Sequence, residues 1–212
     1  MTGRGSRIGD LLVQHPRVDM VSFTGSTETG QSLARKAAMI PLQLELGGKD
    51  AAIVLSDADL EATASDIVSG AFAYSGQRCT AVKRVLAVDA SSAQGAVRMT
   101  EAAVAKGARL VLGGTREGNL VAPTLIDHVT PDMDIAWVEP FAPVLPIIRV
   151  RNAEEAVRLA NRSEYGLQAA IFSRDVDVAM HVGLALDVGT VQINGTTALV
   201  FNMRPLDLET VR

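Results

Sequence analysis

A single thiol and a carboxylate 34 positions before it are the residues of this sequence best suited to chemistry. Cys79 follows Ser75-Gly76-Gln77-Arg78, a polar break containing glycine at the end of a helical pattern. A lone cysteine is most often a small buried hydrophobe. Here Arg78 beside it, with Lys83 and Arg84 downstream, offers positive potential that favours the thiolate, and a thiolate attacks carbonyl carbon readily. Glu45 lies between Leu44 and Leu46, just ahead of Gly47-Gly48-Lys49. Two readings stand for it. It is the outward residue of an alternating strand, or it projects into a partly dry site where desolvation makes it a useful general base.

Two further segments carry binding chemistry. Phe23-Thr24-Gly25-Ser26-Thr27 joins a strand to a helix, and free N–H groups at a helix start can receive a phosphate; the plainer reading is an ordinary N-cap. Glu139-Pro140-Phe141-Ala142-Pro143 is a stiff turn holding an acid that can accept from ribose hydroxyls and an aromatic that can pack on a nicotinamide. The plainer reading is a proline-stiffened loop before a strand.

The elements that must position these residues follow from the hydrophobic pattern. β-rich runs alternate with amphipathic helical runs, so the fold class is α/β with a mostly parallel sheet. Ile8, Leu11 and Leu12 predict a short helix before Pro16, and residues 18–23 a buried strand. Residues 27–38 read as a helix, and 41–46 and 51–55 as strands. Asp57 or Asp59 caps a helix to about Tyr74 that buries Ile67, Val68, Ala71 and Phe72. Residues 83–88, 144–150, 168–172 and 189–194 read as strands, and 153–161 and 176–186 as helices. Residues 90–94, Ala-Ser-Ser-Ala-Gln, and those from Thr196 onward carry no clear period.

Composition narrows the classes. The 212 residues carry a net charge of −4, with no basic run for nucleic acid and no apolar stretch of membrane length. One cysteine makes neither an internal disulfide nor a cysteine metal cluster, and His15, His128 and His181 lack metal-ligand spacing. Met1–Asp10 lacks the apolar core of a signal peptide, so the expected location is cytoplasmic.

Taken in order, Phe-Thr-Gly-Ser-Thr at 23–27, Glu-Leu-Gly-Gly-Lys at 45–49, Gly-Gln-Arg-Cys-Thr at 76–80 and Glu-Pro-Phe-Ala-Pro at 139–143 resemble the aldehyde dehydrogenase superfamily. The wording of residues 71–84, 145–150 and 163–168 looks most like its non-phosphorylating glyceraldehyde-3-phosphate branch. The resemblance implies a partial aldehyde dehydrogenase fold. Residues 1–46 would be the C-terminal part of a Rossmann-like dinucleotide domain, 47–195 a catalytic α/β domain, and 196–212 a divergent tail.

It implies that Cys79 attacks the aldehyde and passes through a thiohemiacetal and a thioester, with its own N–H at the oxyanion, and that Glu45 activates the water that releases the acid. Asp10, Gly25, Ser26, Leu46, Glu139 and Phe141 would contact NAD or NADP, and Arg78 and Thr80 the substrate. An aldehyde, with glyceraldehyde 3-phosphate as the candidate, is the expected partner. A homo-oligomer, or association with a full-length homologue, is the expected assembly.

The sequence also departs from the family. The segment holding an oxyanion asparagine and a ribose-binding lysine has no counterpart here, and an internal deletion is expected near residues 89–101. Leu199 stands where that branch has an arginine, and Ala142 replaces a glycine. The expectation that follows is a truncated chain with little activity of its own.

Overall fold

A computed structural model of the chain describes residues 3–37, 39–88, 104–117 and 120–197. The described residues form two compact units, one up to Gly47 and one from Gly48. The segment 90–94 and the tail beyond Thr197 lie outside the described residues.

The first unit is α1 (Gly5–Val13), β1 (Val21–Thr24), α2 (Thr27–Lys36) and β2 (Leu42–Glu45). β1 and β2 pair in parallel with Thr24 opposite Glu45, so α2 is the crossover of a βαβ turn. Ser26 starts α2 by accepting the Thr29 N–H at 3.2 Å. The expectation of a buried strand at 18–23 is corrected. β1 covers Val21–Thr24 and alternates half-buried with exposed residues, because only one of its faces is packed. α1, β1 and α2 line a cleft of about 800 Å³ that includes Asp10 and Phe23.

The second unit is built on β3 (Ala51–Val54), α3 (Leu60–Phe72), β4 (Arg84–Val88), β5 (Arg109–Leu112), the hairpin β6–β7 (Arg116–Glu117 and Leu120–Val121) and β8 (Thr124–Asp127). β9 (Val144–Val150), α4 (Ala153–Asn161), β10 (Gln168–Phe172), α5 (Val176–Leu184) and β11 (Thr190–Ile193) complete it. Its sheet runs β11-β10-β3-β4-β9-β8-β5, parallel except where β5 enters antiparallel to β8. Full burial of both faces explains why β3, and β10 after Gln168, read as apolar runs. One apolar cluster, with Ile53, Leu86, Ile148 and Ile171, packs on the side of α4 and α5. The other, with Ala52, Val54, Val85 and Phe172, packs under α3 through Ile67 and Ala71.

Asp59, not Asp57, caps α3, accepting the Ala62 N–H at 3.1 Å. Asp57 instead accepts from Ser173 and from the N–H groups of Arg174 and Asp175. Val68, expected on the buried face of α3, is 52% exposed. The buried stripe is Thr63, Ile67, Gly70 and Ala71, which leaves Val68 one position off it.

Candidate active site

Strand order gathers the second unit's motifs. The turn at 47–50 precedes β3, the Cys79 segment precedes β4, the Glu139 turn precedes β9 and Leu167 precedes β10. Because β10, β3, β4 and β9 are adjacent and parallel, all four segments meet at the N-terminal end of the sheet.

After α3 the chain makes a short 3-10 turn, Ala73–Gly76, in which Tyr74, Ser75 and Gly76 all take positive φ. That reversal lifts Cys79 out of the helix and leaves it partly exposed. Gly76 is required twice. Its φ is +68°, and a Cβ there would stand 2.7 Å from the Ala142 carbonyl oxygen, so the segment bearing Cys79 lies directly against the Glu139 turn. Gly48 is equally confined, since a Cβ would stand 2.8 Å from both the Cys79 carbonyl oxygen and Asp50 Oδ1.

The cations around Cys79 are differently employed. Arg78 turns back to donate from Nη2 to the Gly70 carbonyl at 2.7 Å. Arg84 is buried and donates to the carbonyls of Lys49, Leu159 and Ala160, with Trp137 beside its guanidinium. Lys83 is 1% exposed and pairs with Glu139, Nζ to Oε1 at 2.5 Å. Phe141 takes a φ of 41° and is 48% exposed. Thr80 is buried, and among the described residues its Oγ1 makes no hydrogen bond.

Two buried ionisable groups lie beneath, and sequence reasoning missed both. Burial, with Arg84 and Lys83 nearby, pushes the Lys49 ammonium well below its ordinary range. Burial pushes the Asp50 carboxyl up to about 7, against the Gln168 N–H that it accepts. Neither residue breaks the local pattern of a strand approach, so only strand order reveals their burial.

In the first unit, Gly25 and Glu45 sit at the carboxyl ends of β1 and β2, the usual ligand-facing end of such a sheet. Glu45 is exposed. The Gly25 N–H donates to the Glu45 carbonyl at 3.1 Å, which ties the two strand ends together. Leu46 packs into the space left by Gly30 of α2. Asp10 is exposed and forms an ion pair with Lys36 at 2.8 Å.

Comparison with known proteins places the chain. Residues 1–94 and 87–206 match the family model described as the aldehyde dehydrogenase family. The NADP-dependent glyceraldehyde-3-phosphate dehydrogenase of Streptococcus equinus is 45% identical over 93% of this chain and 48% of its own length. The crystal structure of the enzyme of that name from Bacillus halodurans C-125, complexed with NADP, superposes with a TM-score of 0.88 at 51% identity, over 93% of this chain and 48% of that one. The glyceraldehyde-3-phosphate dehydrogenase of Methanocaldococcus jannaschii, also complexed with NADP, gives a TM-score of 0.86 at 33% identity, over 94% of this chain and 51% of that one. The chain thus spans about half the length of the relatives it matches. It belongs to the aldehyde dehydrogenase family.

Proposed function

We propose that this member of the aldehyde dehydrogenase family carries the nucleophile and base of an NAD(P)-dependent aldehyde oxidation, with NADP as cofactor and glyceraldehyde 3-phosphate as the first substrate to test. The observation that carries the reading is Cys79 itself. It is partly exposed at the end of a reversed turn, within the residue order the family shares. The cofactor would accept the hydride. Each unit by itself offers groups suited to part of it. Phe141, about half exposed, suits packing on a nicotinamide, and Glu139, its side chain 14% exposed, offers a carboxylate to a ribose hydroxyl. Ser26 starts α2, and Asp10 lines the first unit's cleft.

The chemistry then balances as follows. The Cys79 thiolate adds to the aldehyde carbon, and negative charge moves to the carbonyl oxygen, where the Cys79 N–H stabilises it. When the oxygen reforms its double bond, the hydride leaves and a thioester remains on Cys79. Glu45 takes a proton from water, the hydroxide adds to the thioester carbon, and the C–S bond breaks to release the acid and the thiolate. Arg78 and Thr80 would flank the substrate.

The test is reduced-cofactor absorbance with glyceraldehyde 3-phosphate and simple aldehydes, using NADP+ and NAD+. Turnover lost in Cys79→Ser supports the reading. A burst of reduced cofactor that persists in Glu45→Gln while steady turnover falls assigns Glu45 to deacylation; equal loss of both phases refutes that role.

A second reading is favoured by the first unit. A two-stranded parallel sheet with alternate exposed residues, and Leu11 70% exposed on α1, is a marginal structure by itself. On this reading the chain has little activity alone and associates with other chains. A monomeric mass together with full turnover would exclude it.

A further inference from the structure

Lys83 is four residues after Cys79 and immediately before β4, and it is among the most buried large side chains of the second unit. A buried ammonium is costly unless its three protons find acceptors. Three oxygens from three separate segments surround this one. The Arg78 carbonyl, next to Cys79, accepts at 2.7 Å; Glu139 Oε1 accepts at 2.5 Å; the Gly48 carbonyl accepts at 3.4 Å. The Phe141 ring centroid stands 5.5 Å from the same nitrogen. The contact of Gly76 with the Ala142 carbonyl joins the same two segments at their other ends. The Cys79 segment therefore lies against the Glu139 turn on both sides of the thiol, and Lys83 is the charged tie between them.

We propose that Lys83 is a positioning residue: it holds the Cys79 segment against the Glu139–Phe141 turn and shares its charge between them. Lys83 touches no reacting atom. Its role rests on the reading of Cys79 as the nucleophile. It also divides the labour of Glu139, whose Oε1 is held by Lys83 while Oε2 is left for a ribose hydroxyl.

Cys79 is the chain's one thiol, so the rate of iodoacetamide labelling of the full chain, followed by mass, reports on it alone. The variants are Lys83→Met, Glu139→Gln and the double variant. Glu139→Gln removes the carboxylate that holds the Lys83 ammonium, frees that charge to turn toward the Arg78–Cys79 segment, and is expected to raise the labelling rate roughly threefold, as the nearer positive charge favours the thiolate. Lys83→Met is expected to lower it, and the double variant to label like Lys83→Met, because Glu139 acts through Lys83. A purely structural lysine would shift the melting temperature without this non-additivity.

Three results overturn the proposal. One is equal labelling of wild type and Lys83→Met. Another is a Glu139→Gln effect of undiminished size in the Lys83→Met background. The third is an unchanged rate in Glu139→Gln, which keeps the shape of the site and decides the matter alone if neither Lys83→Met nor Lys83→Gln folds. A folded wild type whose thiol does not label at all would instead refute Cys79 as nucleophile, and the positioning role with it.

Discussion

Replacing Asp50 with asparagine tests the buried polar layer beneath Cys79. Asp50 is 2% exposed, and burial lifts its carboxyl from the ordinary 3.8 to about 7. Between those values the folded chain holds a proton that the unfolded chain has released. Stability is therefore fully present below pH 3.8 and is lost as pH rises toward 7. A rise of about three units, at about 1.4 kcal/mol each, is worth about 4 kcal/mol. Asparagine cannot ionise, yet its oxygen can still accept the Gln168 N–H. Urea unfolding followed by Trp137 fluorescence, with both proteins measured across the range, cancels in the difference the titrating groups that do not interact with Asp50; Lys83, Glu139 and Arg84 do interact with it. The advantage of Asp50→Asn over wild type should grow by about 3 kcal/mol between about pH 4.5 and pH 8. A constant difference across that range would mean that the carboxylate is solvated or paired in solution, and the reasoning would fail.

Three other perturbations have defined outcomes. Gly48→Ala should cost about 1–3 kcal/mol in urea unfolding and change the labelling rate of Cys79, because the new methyl meets the Cys79 carbonyl and Asp50 at 2.8 Å. Asp127 is fully buried; burial works to raise its carboxyl, but the Arg149 guanidinium and the His128 N–H outweigh burial and hold it below its ordinary range. Its contribution is present above pH 3.8 and is lost as pH falls, so Asp127→Asn should flatten the acid side of the stability profile, as checked by unfolding midpoints below pH 5. Asp59→Ala removes the cap of α3 and should cost about 1 kcal/mol, measured by circular dichroism in urea.

The sequence by itself determined the elements whose environment is uniform along their length. β9, α4 and β10 occupy the spans read from pattern alone, because a strand buried on both faces is a mainly apolar run, interrupted here only by Arg149 and Gln168, and an amphipathic helix keeps its period. It also placed Cys79 at a break, since Gly76 and the polar residues around it cannot continue α3. Tertiary structure alone decided who stands next to whom. β5 and the β6–β7 hairpin are largely exposed, so no dry face marks them in the sequence, and β8, though buried, takes its place only by pairing with β5 and β9. Lys83 reads as one of several cations near a thiol. Only the placement of β9 beside β4 brings it, across 56 positions of sequence, onto Glu139. Asp50 looks like a loop carboxylate until β10 and β4 flank β3 and close water away from it. Periodicity records which face of an element is dry. It does not record which element dries it, and a charge takes its state from that neighbour.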